Sequence, residues 1–293
     1  MSSSHIPLRF VTLHTATIKG IGEVALRSLK LTKPKDIQAD WTQIAPITAV
    51  IPAPEDALID HYIRWSGSDP AKYRGTVPPH LVSQWGLPFA TQLLLQTTFP
   101  IARVINQGVT FRIHGDLPRH EPLQVQTHLH SVQEHKGIAR VTVRIVTGTV
   151  STPDLVETDL HMAFILPGFE KSPKAQKAVD PIHWQPVGTW SASSHDGFQF
   201  ALLTGDFNPI HWIGIAGKLS NFGQKVLHGF GMLARTYERL PTPIQELDIR
   251  FVKPVKLPSP TLTVETGIDP ATSEQRVRLR GPEQQIHLVG HVK

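Results

Sequence analysis

The stretch LLTGDFNPIHW, Leu202 to Trp212, places a carboxylate, an amide and an imidazole within six residues around a proline. Pro209 has no backbone N–H and a φ fixed near the helical value, so it suits the first position of a helix, with Asn208 as its N-cap. This spacing predicts Asp206 just before a helix and His211 in its first turn. Both side chains would then face one space that the unpaired N–H groups of the helix start make favourable to negative charge. The helix field disfavours imidazolium and Asp206 favours it, so the sequence leaves the protonation state open. An isolated Asp-x-Asn-Pro is most often a turn and a cap and nothing more. Here its neighbours are apolar, and HGFGML follows, with His228, Gly229 and Gly231 at the opening of an apolar run. Glycine in a helix costs ~1 kcal/mol relative to alanine. A glycine at that place therefore argues for close approach of backbone or ligand, and the Gly229 N–H suits a developing oxyanion.

These are the parts needed to add water across the double bond of an α,β-unsaturated thioester. The reaction asks for a base that holds and polarises water, a proton returned to the α-carbon, and stabilisation of an enolate oxygen. Asp206 and His211 supply the first two and Gly229 the third, while Leu203, Phe207 and Ile210 limit bulk water and line an acyl path, with His228 beside the donor. In this order, TGDFNPIH, VLHGFGML and DIRFVKPV resemble the MaoC-like family of hotdog-fold proteins, the (R)-specific enoyl-CoA hydratases (hydratase 2) and 3-hydroxyacyl dehydratases. The resemblance is specific over Phe200 to Val255 and loose elsewhere. It implies a long helix wrapped by an antiparallel sheet, Asp206 and His211 as the catalytic pair, Asn208 as an orienting residue, Gly229 as oxyanion donor, and no metal or redox cofactor. Members often carry an acidic residue two after the histidine and a small Ala or Ser further on, where this chain has Ile213 and Gly217. The activity implied is water addition to, or removal from, the 2,3 bond of an acyl-CoA or acyl-carrier-protein thioester. A hotdog thioesterase and a catalytically silent acyl-binding or assembly subunit are the alternatives.

The elements that must position these residues occur twice. TGDFNP can be laid on WSGSDP, with Gly205 on Gly67 and one residue missing before Pro70. A helical stretch follows each, Leu81 to Thr97 and Lys225 to Leu240, and then strands that break at Gly or Pro, Val109 to Pro118 and Asp248 to Pro258. Runs with period-two alternation close both halves: Leu123–Val132, Ile138–Val150 and Asp159–Leu166 in the first, Thr261–Ile268, Gln275–Gly281 and Gln285–Lys293 in the second. The halves read as diverged copies, and the expected fold is α+β, a double hotdog in which a long antiparallel sheet wraps a central helix twice. The expected division is a degenerate half over 1–166, a Pro-, Lys- and Ser-rich linker over 167–181, and a catalytic half over 182–293. The first half has Ser68 where Asp206 would stand and no histidine in the place of His211, so it is read as a structural partner, and the resemblance implies that such a half can widen the pocket for a long or bulky acyl chain.

Composition restricts the rest. With 40% hydrophobic and 18% charged residues the chain folds as a globular protein. Its net charge of +5 is spread without a basic run, which suits a small anionic ligand better than a nucleic-acid groove. Lys218, Lys225, Lys253 and Lys256 are the candidates for meeting the phosphates of CoA at the rim. Absence of cysteine removes disulfides, thiolate nucleophiles and Cys-based zinc sites. No stretch approaches ~18 apolar residues, and the N-terminus has no signal-like pattern, so a soluble cytoplasmic protein without membrane contact is expected. A homodimer is left open. His128, His130 and His135 lack a convincing further metal ligand. Adjacent Ser193, Ser194, His195 and Asp196 cannot form a serine triad in series, and GFG at 229–231 is too short for a dinucleotide fingerprint. Trp65, Trp85, Trp184, Trp190 and Trp212 are read as core or rim residues.

Overall fold

The computed structural model describes residues 5–28, 37–170 and 180–293. The first half runs α1 (Thr15–Ser28), β1 (Ile47–Ile51), α2 (Asp56–Ser66), β2 (Thr76–Val77), α3 (Ser83–Leu94), β3 (Ile105–Ile113), β4 (Leu117–Pro118), β5 (Leu123–His135), β6 (Ile138–Gly148) and β7 (Val156–Ile165). The second runs β8 (Gln185–Trp190), α4 (Asp196–Thr204), α5 (Gly214–Leu219), α6 (Gly229–Tyr237), β9 (Glu246–Phe251), β10 (Leu262–Ile268), β11 (Gln275–Arg280) and β12 (Ile286–Val292). Most of the expected linker, 171–179, lies outside the described residues.

Ten strands form one sheet in the order β1-β5-β6-β7-β3-β9-β12-β11-β10-β8. Each half contributes five strands, and the same order is read outward from the central antiparallel pair β3·β9, where Val109 stands opposite Ile249 and Phe111 opposite Leu247. The sheet is a double hotdog, as the repeated element order implied. Strand alternation sets its two faces. In β6, Ala139, Val141, Val143 and Ile145 are buried, whereas Arg140 between them is exposed. One face therefore closes on the helices and the other meets solvent.

The helices inside the sheet are shorter than the sequence suggested. The Lys225–Leu240 stretch is helical only from Gly229 to Tyr237, because Val226 first makes an antiparallel bridge to Lys256. The first-half counterpart is a 3-10 turn, Pro79–Val82, that continues into α3, with Pro88 inside the helix. The repeat is clearest just before the site. Helices α2 and α4 both end on a glycine in the left-handed region, Gly67 at φ 85° and Gly205 at φ 82°. In each half a 3-10 turn then opens at a proline capped by the residue before it, Asp69 onto Ala71 N and Asn208 onto Ile210 N. The structure adds three elements that period-two reading passed over: edge strands β1 and β8, and an N-terminal arm of residues 5–28 whose Phe10 and His14 are buried.

Candidate active site

Gly205 turns the chain out of α4 and delivers Asp206 to the site. Only glycine adopts its φ of 82° without strain. A Cβ at Gly205 would also meet the His14 side chain at 2.8 Å, so the arm packs directly under the turn. His14 Nε2 lies 2.9 Å from the Leu202 carbonyl, which ties the arm to the end of α4. Beyond Gly205 the turn holds itself: the Asp206 carboxylate accepts from Asn208 N at 3.3 Å and Asn208 caps Ile210 N at 3.4 Å.

The expected helix at Pro209 is corrected. Pro209–His211 is a single 3-10 turn; the chain leaves it at Trp212 (φ −136°, ψ −22°), and α5 starts afresh at Gly214. Two tertiary bonds compete with helix propagation. Trp212 Nε1 donates to the Phe207 carbonyl at 3.1 Å, and His211 Nδ1 donates to the Val226 carbonyl at 2.8 Å. One isolated turn carries little dipole, so the helix start that faces the site is that of α6. His228 is its N-cap, no side chain caps its first turn, and Gly229 is its first residue. A Cβ on Gly229 would lie 2.8 Å from the Phe251 ring, so the start of α6 packs closely on that ring.

His211 and His228 lie face to face, with ring centroids 3.6 Å apart and 28° between their planes. His228 Nε2 donates to the Asp206 backbone carbonyl at 2.9 Å and is 3.9 Å from its Oδ2. Burial depresses the His211 pKa below that of a free histidine, and the Asp206 charge opposes this only in part. His228 is held well below the ordinary value by burial, reinforced by His211. Both rings are therefore neutral at pH 7. With its Nδ1 proton on Val226, His211 keeps an unprotonated Nε2, which is the atom a general base needs. His228 Nδ1 is buried without a partner among the described residues.

Asp206, His211 and His228 each offer one atom, all within 4.8 Å of one another, and by donor type this trio could hold a cation. The His128–His130 pair, with ring centroids 6.0 Å apart, has no such third member among the described residues. Of the expected lining residues, Phe207 and Ile210 are partly buried beside the turn, and Phe207 meets Trp212 edge to face. Leu203 is fully buried in the core. Lys218 and Lys253 are exposed, but Lys225 is committed, its Nζ donating to the Ser194 carbonyl at 2.7 Å. The Ser193–Asp196 segment opens α4: Asp196 accepts from Ser193 and pairs with Arg235 at 2.6 Å. Sequence reading missed the contribution of His14, almost two hundred residues from the turn, for which no local signal exists.

The chain is similar to known proteins in sequence and in fold. Residues 171–276 match the MaoC like domain. The chain is 28% identical over 186 residues to 3-hydroxyacyl-thioester dehydratase X of Mycobacterium tuberculosis, and that alignment spans 61% of this chain and 61% of the relative. A crystal structure of HtdX from the same organism superposes with a TM-score of 0.65 at 19% identity, covering 85% of this chain and 99% of that one. A MaoC-like dehydratase from Phytophthora capsici superposes with a TM-score of 0.66 at 14% identity, covering 89% and 97%. The matched residues include the whole of the Asp206 turn and the start of α6. Among the described residues no helix is long and apolar enough to cross a membrane.

Proposed function

We propose that the protein is a hydro-lyase that adds water to, or removes it from, the 2,3 bond of an acyl thioester, interconverting trans-2-enoyl and (R)-3-hydroxyacyl forms. The observation that carries this reading is the pairing of a neutral His211, whose Nδ1 is fixed on Val226, with Asp206 on the same turn, opposite the uncapped N-terminus of α6. In the hydration direction, His211 Nε2 and the Asp206 carboxylate hold a water. Its oxygen bonds to C3 as a proton passes to this pair. The C2–C3 π electrons move toward the thioester oxygen, where the Gly229 N–H stabilises the enolate, and the Asp206–His211 pair then returns its proton to C2 as the carbonyl re-forms. No external oxidant or reductant enters. Asn208 keeps the turn in shape through its bond to Ile210 N, and Phe207 and Ile210 shield the reacting carbon from bulk water.

The neutral histidine suits a cycle in which a proton is taken up and returned, because at pH 7 its unprotonated Nε2 is free to accept one. Purified protein should consume crotonyl-CoA and longer enoyl-CoAs, with loss of the conjugated thioester absorbance and formation of the (R)-3-hydroxy product. Release of free thiol without hydration would identify a thioesterase instead, and binding without either change a silent acyl-binding subunit.

A further inference from the structure

Helix α5 is anchored through Gly217. That residue is buried, and a Cβ on it would stand 2.5 Å from the Lys225 amide nitrogen and 2.7 Å from the Gln224 carbonyl carbon, so the helix rests directly on this backbone. The backbone beneath is fixed in turn. Leu227 N donates to the Val255 carbonyl at 2.8 Å and Leu257 N to the Lys225 carbonyl at 3.0 Å, while the Val226 carbonyl between them accepts from His211. Only this short ladder separates α5 from the proposed catalytic turn. Successive helix residues are about 100° apart, which sets Ile215 and Leu219 roughly 160° from Gly217 on either side. Both therefore point away from the protein, and they are 69% and 83% exposed. Ser220 Oγ then donates to the Gly217 carbonyl at 2.7 Å and accepts from Phe222 N at 3.2 Å, which closes the helix and fixes Phe222, also exposed, just beyond it.

The charge around this apolar face has one sign. Lys218 on α5 is exposed, as are Val252, Lys253 and Lys256 on the segment that completes the ladder. No Asp or Glu occurs from Phe207 to Tyr237 or from Ile249 to Val264. A second copy of the chain would need a much larger contact, since stable protein interfaces involve roughly 20–30 residues a side. A protein partner also takes its anchors in desolvated pockets, whereas Ile215 and Leu219 stand proud of the surface. Lipid accepts protruding apolar side chains one by one, and lysines beside them gain from an anionic leaflet.

We propose that α5 docks the protein on an anionic lipid surface, with Ile215, Leu219 and Phe222 entering the acyl boundary and Lys218, Lys253 and Lys256 meeting the headgroup phosphates. The lysine stems lie along the apolar boundary while their ammonium groups stay at the headgroup level. The contact is peripheral, as no helix among the described residues can span a bilayer. It replaces the expectation of a protein without membrane contact, and it does not depend on the hydratase reading of the Asp206 site. Docking in this orientation brings the side of the protein that carries the His211 turn to the membrane.

The test is co-sedimentation of the full chain with vesicles of phosphatidylcholine and phosphatidylglycerol in equal parts, against vesicles of phosphatidylcholine alone. The wild type should bind the anionic vesicles, bind the neutral ones far less, and be released by salt. The double variant Ile215→Asp, Leu219→Asp should lose binding by about tenfold or more with an unchanged melting temperature, because both side chains are exposed. Leu219→Ser, a milder change, should weaken binding in the same direction. Ile268→Asp, at an exposed apolar position on β10, is the control and should bind like the wild type. Lys218→Glu with Lys256→Glu should reduce binding to anionic vesicles and flatten its salt dependence. A wild type that stays in solution overturns the proposal, as does equal binding to both vesicles or a folded double variant that binds normally. If vesicles leave the protein unbound while sedimentation velocity shows a dimer that Leu219→Ser weakens, the face joins two copies of the chain. If an acidic carrier protein binds the wild type and not the double variant, and vesicles do not bind, the face docks a protein; both of these outcomes also overturn the proposal.

Discussion

His228 stacks on His211 at 3.6 Å between ring centroids while its Nε2 holds the backbone carbonyl of Asp206 at 2.9 Å, so one buried ring touches both members of the proposed catalytic pair. The contact joins α6 to the Asp206 turn without occupying the Nε2 of His211.

Asp206→Asn should nearly abolish hydration, by about 10² to 10³ in kcat, since an amide keeps the shape but cannot act as a base. His211→Ala should have a similar effect. Ser68→Ala and Asp69→Asn should stay within a few fold, because Asp69 does no more than cap Ala71 N on the surface. All four must first show wild-type circular dichroism. Near-normal activity in Asp206→Asn, or a dead Asp69→Asn, would place the site in the wrong half.

The depressed pKa values of His211 and His228 imply a loss of stability on the acid side. Both groups bind protons more readily in the unfolded chain, where the pKa is about 6.5, than in the native state. Their neutral burial is therefore without penalty above pH 6.5, and stability falls as pH drops below it. His14, His161 and His287, depressed by burial in the same way, add to the slope. Melting temperature should be lower at pH 5.5 than at pH 7.5, and His228→Gln should flatten that difference. A pH-independent melting temperature from 5.5 to 7.5 would contradict the neutral assignment.

Glu238, at the end of α6, crosses into the other half and accepts from Tyr73 Oη at 2.7 Å, His80 Nε2 at 2.8 Å and Lys72 Nζ at 2.8 Å, with its side chain 0% exposed. His80 is in turn bonded to Tyr62 Oη at 2.9 Å. Burial opposes ionisation of Glu238, but these donors outweigh it and hold the carboxyl far below its usual range. Its contribution is fully present above pH ~4.5 and is lost progressively as pH falls from there through its far lower native pKa. Glu238→Gln should cost about 3 kcal/mol at pH 7, since breaking a buried pair leaves its partners uncompensated, and the gap to wild type should narrow as the pH is lowered below 4.5. Thermal melts at pH 7 and pH 3.5 read both effects.

Gly205→Ala adds backbone strain and a clash with His14, whereas Gly223→Ala, at φ 71° with open space around it, adds strain alone. Strain of this kind costs roughly 1–2 kcal/mol. Gly205→Ala should lower the melting temperature more than Gly223→Ala and should also reduce kcat, because it displaces the residue before Asp206. Equal effects on both measurements would mean that the arm does not support the turn.

Much of this architecture was legible in the sequence for local reasons. Alternation with period two depends on neighbours two residues apart, so β5, β6, β10, β11 and β12 stand in the sequence almost where they stand in the fold. Gly205, Asn208 and Pro209 act through their own backbone preferences, which is why the end of α4, the capped turn and its first-half copy around Gly67 and Asp69 could be matched by eye. The edge strands β1 and β8 left no such trace; each is short, and neither has a side fully buried along its length.

The sequence by itself determined which residues form the turn, that two copies of one plan are present, and that only the second copy carries an acid and a histidine at the right spacing. Tertiary structure decided what those residues can do. The 3-10 turn stops at Trp212 because bonds to Phe207 and Val226 replace helix propagation, the proton of His211 sits on Nδ1 because Val226 accepts it, and Lys225 is consumed by Ser194. His14 and Glu238 belong to the same class. Each depends on contact between segments far apart in the chain, and such contacts are set by how the apolar faces of both halves close around one core, which local spacing does not encode.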